Sequence, residues 1–68
     1  MKPKINDTVQ LTQPLLEEGL LTGSVGVVVA EFSEPEEAYE VEFSNQSGET
    51  IVQVVLRLKQ FVVLGTTT

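Results

Sequence analysis

Cysteine, histidine and tryptophan are all missing from this chain of 68 residues. Without cysteine there is no disulfide framework, and without cysteine and histidine together there is no zinc site of the common kind. The missing histidine also leaves Ser24, Ser33, Ser44 and Ser47 with no base to activate them, and Lys2, Lys4 and Lys59 sit near ends or turns. Catalytic residues are therefore not expected, and neither is a cofactor. Positive charge is scarce: four lysines and arginines face ten aspartates and glutamates, for a net charge of −6. Nucleic-acid binding draws most of its affinity from cations that neutralise phosphates, so this balance counts against a nucleic-acid partner and against an anionic membrane surface. No apolar run approaches the roughly 18 residues of a membrane span, and Met1-Lys2-Pro3-Lys4 lacks the apolar segment of a signal peptide. The expectation is a cytoplasmic, soluble protein with no membrane partner.

What is present is a set of short β patterns. The most continuous runs from Gly23-Ser24-Val25-Gly26 through Val27-Val28-Val29-Ala30-Glu31-Phe32. It is too short for a buried helix and too apolar for a half-exposed strand, so it reads as a central strand covered on both faces. Before it, Ile5, Asp7, Val9 and Leu11 alternate with polar residues, the period of a half-buried strand with Asp7 breaking the apolar face at its open end. Residues 12–22 lose the pattern around Pro14, Glu17-Glu18 and Gly19 and read as a long loop, with Leu15, Leu16 and Leu20 folded back over one barrel opening. Gly23 supplies a turn, and Gly26 marks a bulge or a close backbone approach. A phosphate-cradling loop would need more glycine, a following helix and usually a lysine.

Ser33-Glu34-Pro35-Glu36-Glu37 is a hairpin turn. Beyond it, Tyr39, Val41 and Phe43 point to the core while Glu40 and Glu42 point out. Asn45-Gln46-Ser47-Gly48 is a second turn. In the strand from Glu49 to Leu56, Val52, Val54 and Leu56 turn inward and Ile51 and Val55 outward with Gln53 and Arg57. Residues 57–60 are one turn long and suit a 3-10 link, Phe61 to Leu64 form the last strand, and residues 1–4 and 65–68 read as frayed ends. The chain is thus expected to be a single all-β domain over residues 1–68, a small five-stranded SH3-like barrel with a 3-10 turn before the last strand. A domain this small buries only about 60% of the surface its unfolded chain exposes, so association is a natural aid to stability.

Several of these segments together resemble the bacterial family catalogued as domain of unknown function 4926. They are Ile5 to Thr12, Gly19-Leu20 before Gly23-Ser24-Val25-Gly26, Tyr39-Glu40-Val41-Glu42-Phe43, Gly48 with Thr50, and Gln60. The Tyr-Glu-Val-Glu-Phe run is the most specific of them. Where the family's last link usually reads Leu-Pro-Ala-Asp-Gln, this chain has Arg57-Leu58-Lys59 in place of Pro-Ala-Asp. The resemblance implies a small barrel and supplies no catalytic residues. Because such members are encoded beside another small protein, it points to a partner-like or antidote-like half of a two-protein pair. Similar small barrels serve as subunits that dock on other proteins, an association at the level of fold.

Three functions are compatible with these residues. The first is a non-catalytic protein-binding module. Ile51, Val55 and Leu58, extended by Val62, form an outward apolar strip beside Arg57 and Lys59, with the acidic hairpin elsewhere, and an apolar centre with a charged rim is how interfaces look. The partner is another protein or a second copy in a homodimer. Against it stands cover of the same strand face by the Leu15-Leu16 loop. The second is an acidic calcium-binding domain with Glu31, Glu40 and Glu42 as the weak candidate ligands. Glu40 and Glu42 stand about 7 Å apart on one strand face, but the hairpin lacks the wrapping Asp/Asn loop of tight calcium sites. The third is a nucleic-acid-binding small barrel, which the charge disfavours.

Overall fold

The computed structural model describes residues 2–45 and 47–66. Five antiparallel strands form one sheet: β1 (Asp7–Leu11), β2 (Val25–Phe32), β3 (Ala38–Ser44), β4 (Thr50–Leu56) and β5 (Phe61–Thr66). Their order across the sheet is β4-β3-β2-β1-β5, an arrangement compatible with the SH3-like barrel. The described residues contain no α-helix. They contain two 3-10 turns, Leu16–Glu18 in the long loop and Leu58–Gln60 immediately before β5.

The alternation of the sequence sets the faces. Val9 and Leu11 of β1, Val28 of β2, Tyr39, Val41 and Phe43 of β3, and Leu56 of β4 are buried and form one cluster with Leu20 and Phe61. Val52, Val54 and Val63 pack against it from partly buried positions. Tyr39 and Phe61 meet edge to face, ring centroids 6.0 Å apart and 87° between planes, the arrangement the ring quadrupoles favour.

Gly26 sits at the crossing of β1, β2 and β3, opposite Val9 on one side and Phe43 on the other. A Cβ there would lie 2.7 Å from Val41 Cγ1, 2.9 Å from the Glu42 carbonyl oxygen and 2.9 Å from Phe43 Cδ1. Close approach is therefore the reason for this glycine. The bulge itself is displaced: the β2–β3 register slips between Val28 and Ala30, making Val29 the extra residue. Gly23 carries φ +93° and turns the chain into β2.

Other parts of the sequence reading need adjustment. Ile5 is half exposed and precedes β1, which begins at Asp7. Asp7 is buried, and its Oδ2 accepts the Lys4 backbone N–H at 2.8 Å. Pro3 is buried, while Gly65 and Thr66 continue β5 opposite Thr8 and Asp7, because a strand at a sheet edge gains hydrogen bonds wherever its neighbour still offers them. Met1, Thr67 and Thr68, and Gln46 in the second turn, lie outside the described residues. Of the three loop leucines only Leu20 reaches the core. Leu15 packs against it from a half-buried position, and Leu16 is 76% exposed.

Candidate functional site

The outer face of β4 is set by its register with β3. Val55 lies opposite Glu40 and Gln53 opposite Glu42, and directly opposed residues share a face. Gln53 Nε2 donates to Glu42 Oε2 at 2.9 Å. Ile51 is the extra residue where the register slips between Phe43 and Ser44. Ile51 is 56% exposed and Val55 57%, so the long loop does not cover this face. The face that the sequence placed outward is open, with two acidic side chains beside it.

At the end of β4 the chain turns through Arg57 into the second 3-10 turn. The Arg57 N–H donates to Gln60 Oε1 at 2.7 Å and the Gln60 N–H to the Arg57 carbonyl at 2.9 Å, which closes the link and leaves Leu58 39% exposed. Arg57 Nη2 reaches Glu36 Oε2 at 2.8 Å. That guanidinium holds the Glu36 carboxyl below the usual carboxylate range, first through the hydrogen bond and then through its charge, and Glu36 raises Arg57 in the same order. This corrects the expectation that the acidic hairpin lies away from the strip: Glu36 of the hairpin is hydrogen-bonded to Arg57 at the strip's end. Val62, the extension of the strip, lies on β5 opposite Gln10, a strand that does not pair with β4.

Between the long loop and β4 runs a cleft of about 400 Å³, lined by Pro14, Leu15, Leu16, Glu17 and Glu18 on one side and by Val54, Val55 and Leu56 on the other. Val54 and Val55 point to opposite faces of their strand, so a cleft touching both follows the strand's edge. The loop is fixed beside it by the Leu15–Leu20 bridge, by the left-handed turn at Gly19 (φ +72°), and by Thr12 N–H donating to the Gln60 carbonyl at 3.0 Å. Sequence reasoning missed this cleft. Its signal was the pairing of acidic Glu17-Glu18 with a leucine that the core leaves out.

The candidate cation ligands divide between the two faces. Glu31 lies opposite Tyr39 and Glu40 opposite Ala30, which puts Glu31 on the face of Tyr39 and Glu40 and Glu42 on the other. Among the described residues no three acidic groups gather to hold a metal ion. Glu31 instead lines a second cleft, of about 510 Å³, with Lys2, Lys4, Phe32, Glu37 and Tyr39. There the Tyr39 hydroxyl donates to Glu37 Oε2, and Lys2 Nζ stands 3.8 Å from the same oxygen. The hydrogen bond to Glu37, burial, and the charges of Glu37 and Glu31 push Tyr39 up to about 12. It holds its proton throughout the neutral range and donates in its hydrogen bond to Glu37.

No helix among the described residues is long and apolar enough to cross a membrane. A family model described as a domain of unknown function, DUF4926, matches residues 5–63. Neither the curated proteins nor the solved structures contain a match to the chain.

Proposed function

This chain belongs to the DUF4926 family, which brings no assigned activity with it, and we propose that it is a non-catalytic protein-binding module whose docking surface is the outer face of β4 and the 3-10 corner beyond it. The observation that carries the reading is the exposure of Ile51, Val55 and Leu58, at 56%, 57% and 39%, beside the Arg57–Glu36 pair. Apolar side chains ringed by charge are the anatomy of a docking patch, and a domain this small gains nothing in its own core from leaving them in water. The role fits one member of a two-protein pair, in which an acidic chain meets a partner of complementary charge.

The test is capture of the partner from a lysate by the wild type and by Val55→Asp and Leu58→Asp. Val55→Asp costs the isolated fold on the order of 1 kcal/mol, since Val55 is 57% exposed but faces Glu40 across the strand pair, and Leu58→Asp costs more, since Leu58 is only 39% exposed. The expected result is a defined partner on the wild type that both variants lose while each still melts in a single cooperative transition. A partner retained by both variants would remove this surface from the reading.

A further inference from the structure

β4 is an edge strand. It pairs with β3 on one side, and among the described residues no strand pairs with its other edge. From Val52 to Leu56 its register is regular, and Thr50–Leu56 contains no charged residue and no proline. Natural edges are blunted by lysine, proline or a bulge. Here the bulge at Ile51 disturbs only the start of the strand, and the remainder presents alternate N–H and C=O groups outward. The last three residues of the open part, Val54, Val55 and Leu56, line the cleft of about 400 Å³ whose far wall carries Glu17 and Glu18. No ion pair or hydrogen bond ties either side chain among the described residues. A free backbone edge and an unneutralised acidic wall thus face the same space.

We propose that the open edge of β4 receives an extended segment of a partner protein as an added strand, with apolar side chains alternating along it and a lysine or arginine at the end beside Glu17 and Glu18. The inference rests on the reading of the chain as a protein-binding module and names how the partner is held. Main-chain hydrogen bonds supply the attachment, Leu15, Val54 and Val55 line the bed for alternate side chains, and the acidic pair fixes the direction of the strand. A second copy of this chain is a poorer occupant. Antiparallel pairing of β4 with itself sets the Thr50 end of one copy against the Leu56 end of the other, which brings Glu49 of the second copy toward Glu17 and Glu18. Two chains of net charge −6 also repel.

The experiment selects binders from a displayed library of random linear peptides on the full-length protein, then repeats the selection on Glu17→Lys combined with Glu18→Lys. Glu17→Gln with Glu18→Gln serves in its place if the reversal disturbs the fold. The expected binders to the wild type alternate β-branched and polar residues and carry lysine or arginine at one end. Their affinity falls at least about tenfold on the variant, and amide exchange slows at alternate residues of Val52–Leu56. The reversed protein should select acidic ends instead. Binders without a basic preference, slowed exchange elsewhere than β4, no binders at all, or the same exchange pattern produced by self-association would each overturn the inference. If such binders, or the captured partner, are nevertheless lost on Val55→Asp, the docking reading stands while the added strand falls. If Val55→Asp and Leu58→Asp both lose nothing, both fall.

Discussion

Tyr39 is the chain's single tyrosine, so its ionisation can be followed without interference. Its hydroxyl donates to Glu37 and its ring is buried against Phe61, and together with the nearby acidic charges this moves it from 10.0 to about 12. The unfolded chain releases the proton at the lower value and the folded chain at the higher. Between them the unfolded state binds fewer protons, so this stabilisation is complete below the unfolded value and is lost as pH rises through the folded one. Tyrosinate absorbance should therefore appear late in native protein, and Glu37→Gln should bring it earlier. Urea midpoints should fall as pH rises above the unfolded value, and Tyr39→Phe should remove that part of the slope; a slope unchanged by Tyr39→Phe would mean that other groups cause it. Gly26 is the other decisive single residue. The contacts of 2.7 to 2.9 Å that a Cβ would meet include a backbone oxygen that cannot rotate away. Gly26→Ala is expected to cost about 1–3 kcal/mol by overpacking, read as a lowered denaturation midpoint.

Among the elements, the long loop is where packing had to choose. Leu20 is 8% exposed and Leu16 76%, although both are leucines in one patternless stretch. Leu20→Ala should destabilise by about 2–5 kcal/mol and Leu16→Ala by less than about 0.5. Thermal melts separate them easily, since each kcal/mol moves a domain of this size by roughly 4–8 °C. The turn between β3 and β4 is organised by Asn45, whose Oδ1 accepts the N–H groups of Ser47 at 2.9 Å and Glu49 at 3.0 Å, with Gly48 at φ +84°. Asn45→Ala should cost about 1 kcal/mol through the two lost acceptor bonds, in the same assay. The strands were readable because alternation is a local property: Tyr39-Glu40-Val41-Glu42-Phe43 announces its own faces. The loop was not, because which leucine is buried depends on where Leu56, the second 3-10 turn and Phe61 stand, many residues away.

At the scale of the molecule, charge and exposed apolar surface lie side by side on β3 and β4 and along the cleft beside them. The acidic residues are spread over both faces of the sheet, with Glu31 on one and Glu40 and Glu42 on the other. Calcium should therefore raise the melting temperature no more than an equal ionic strength of sodium chloride does, and Glu40→Gln with Glu42→Gln should leave that response unaltered. A calcium-specific rise that the double variant abolishes would reverse this. The sequence by itself determined the five strands, the hairpin turns, the inward and outward sets of β3 and β4, the need for glycine at position 26 and the shortage of cations, all of which follow from local periodicity, turn chemistry and composition. Only the tertiary structure decided that Leu16 stays in water, that Arg57 reaches Glu36, that Val62 lies on a strand that does not pair with β4, that Glu31 parts from Glu40 and Glu42, and that Glu17 and Glu18 wall a cleft along an open strand. These depend on how distant segments pack, on strand order and on single-residue slips of register, and such a slip moves a side chain to the other face without any mark in the sequence.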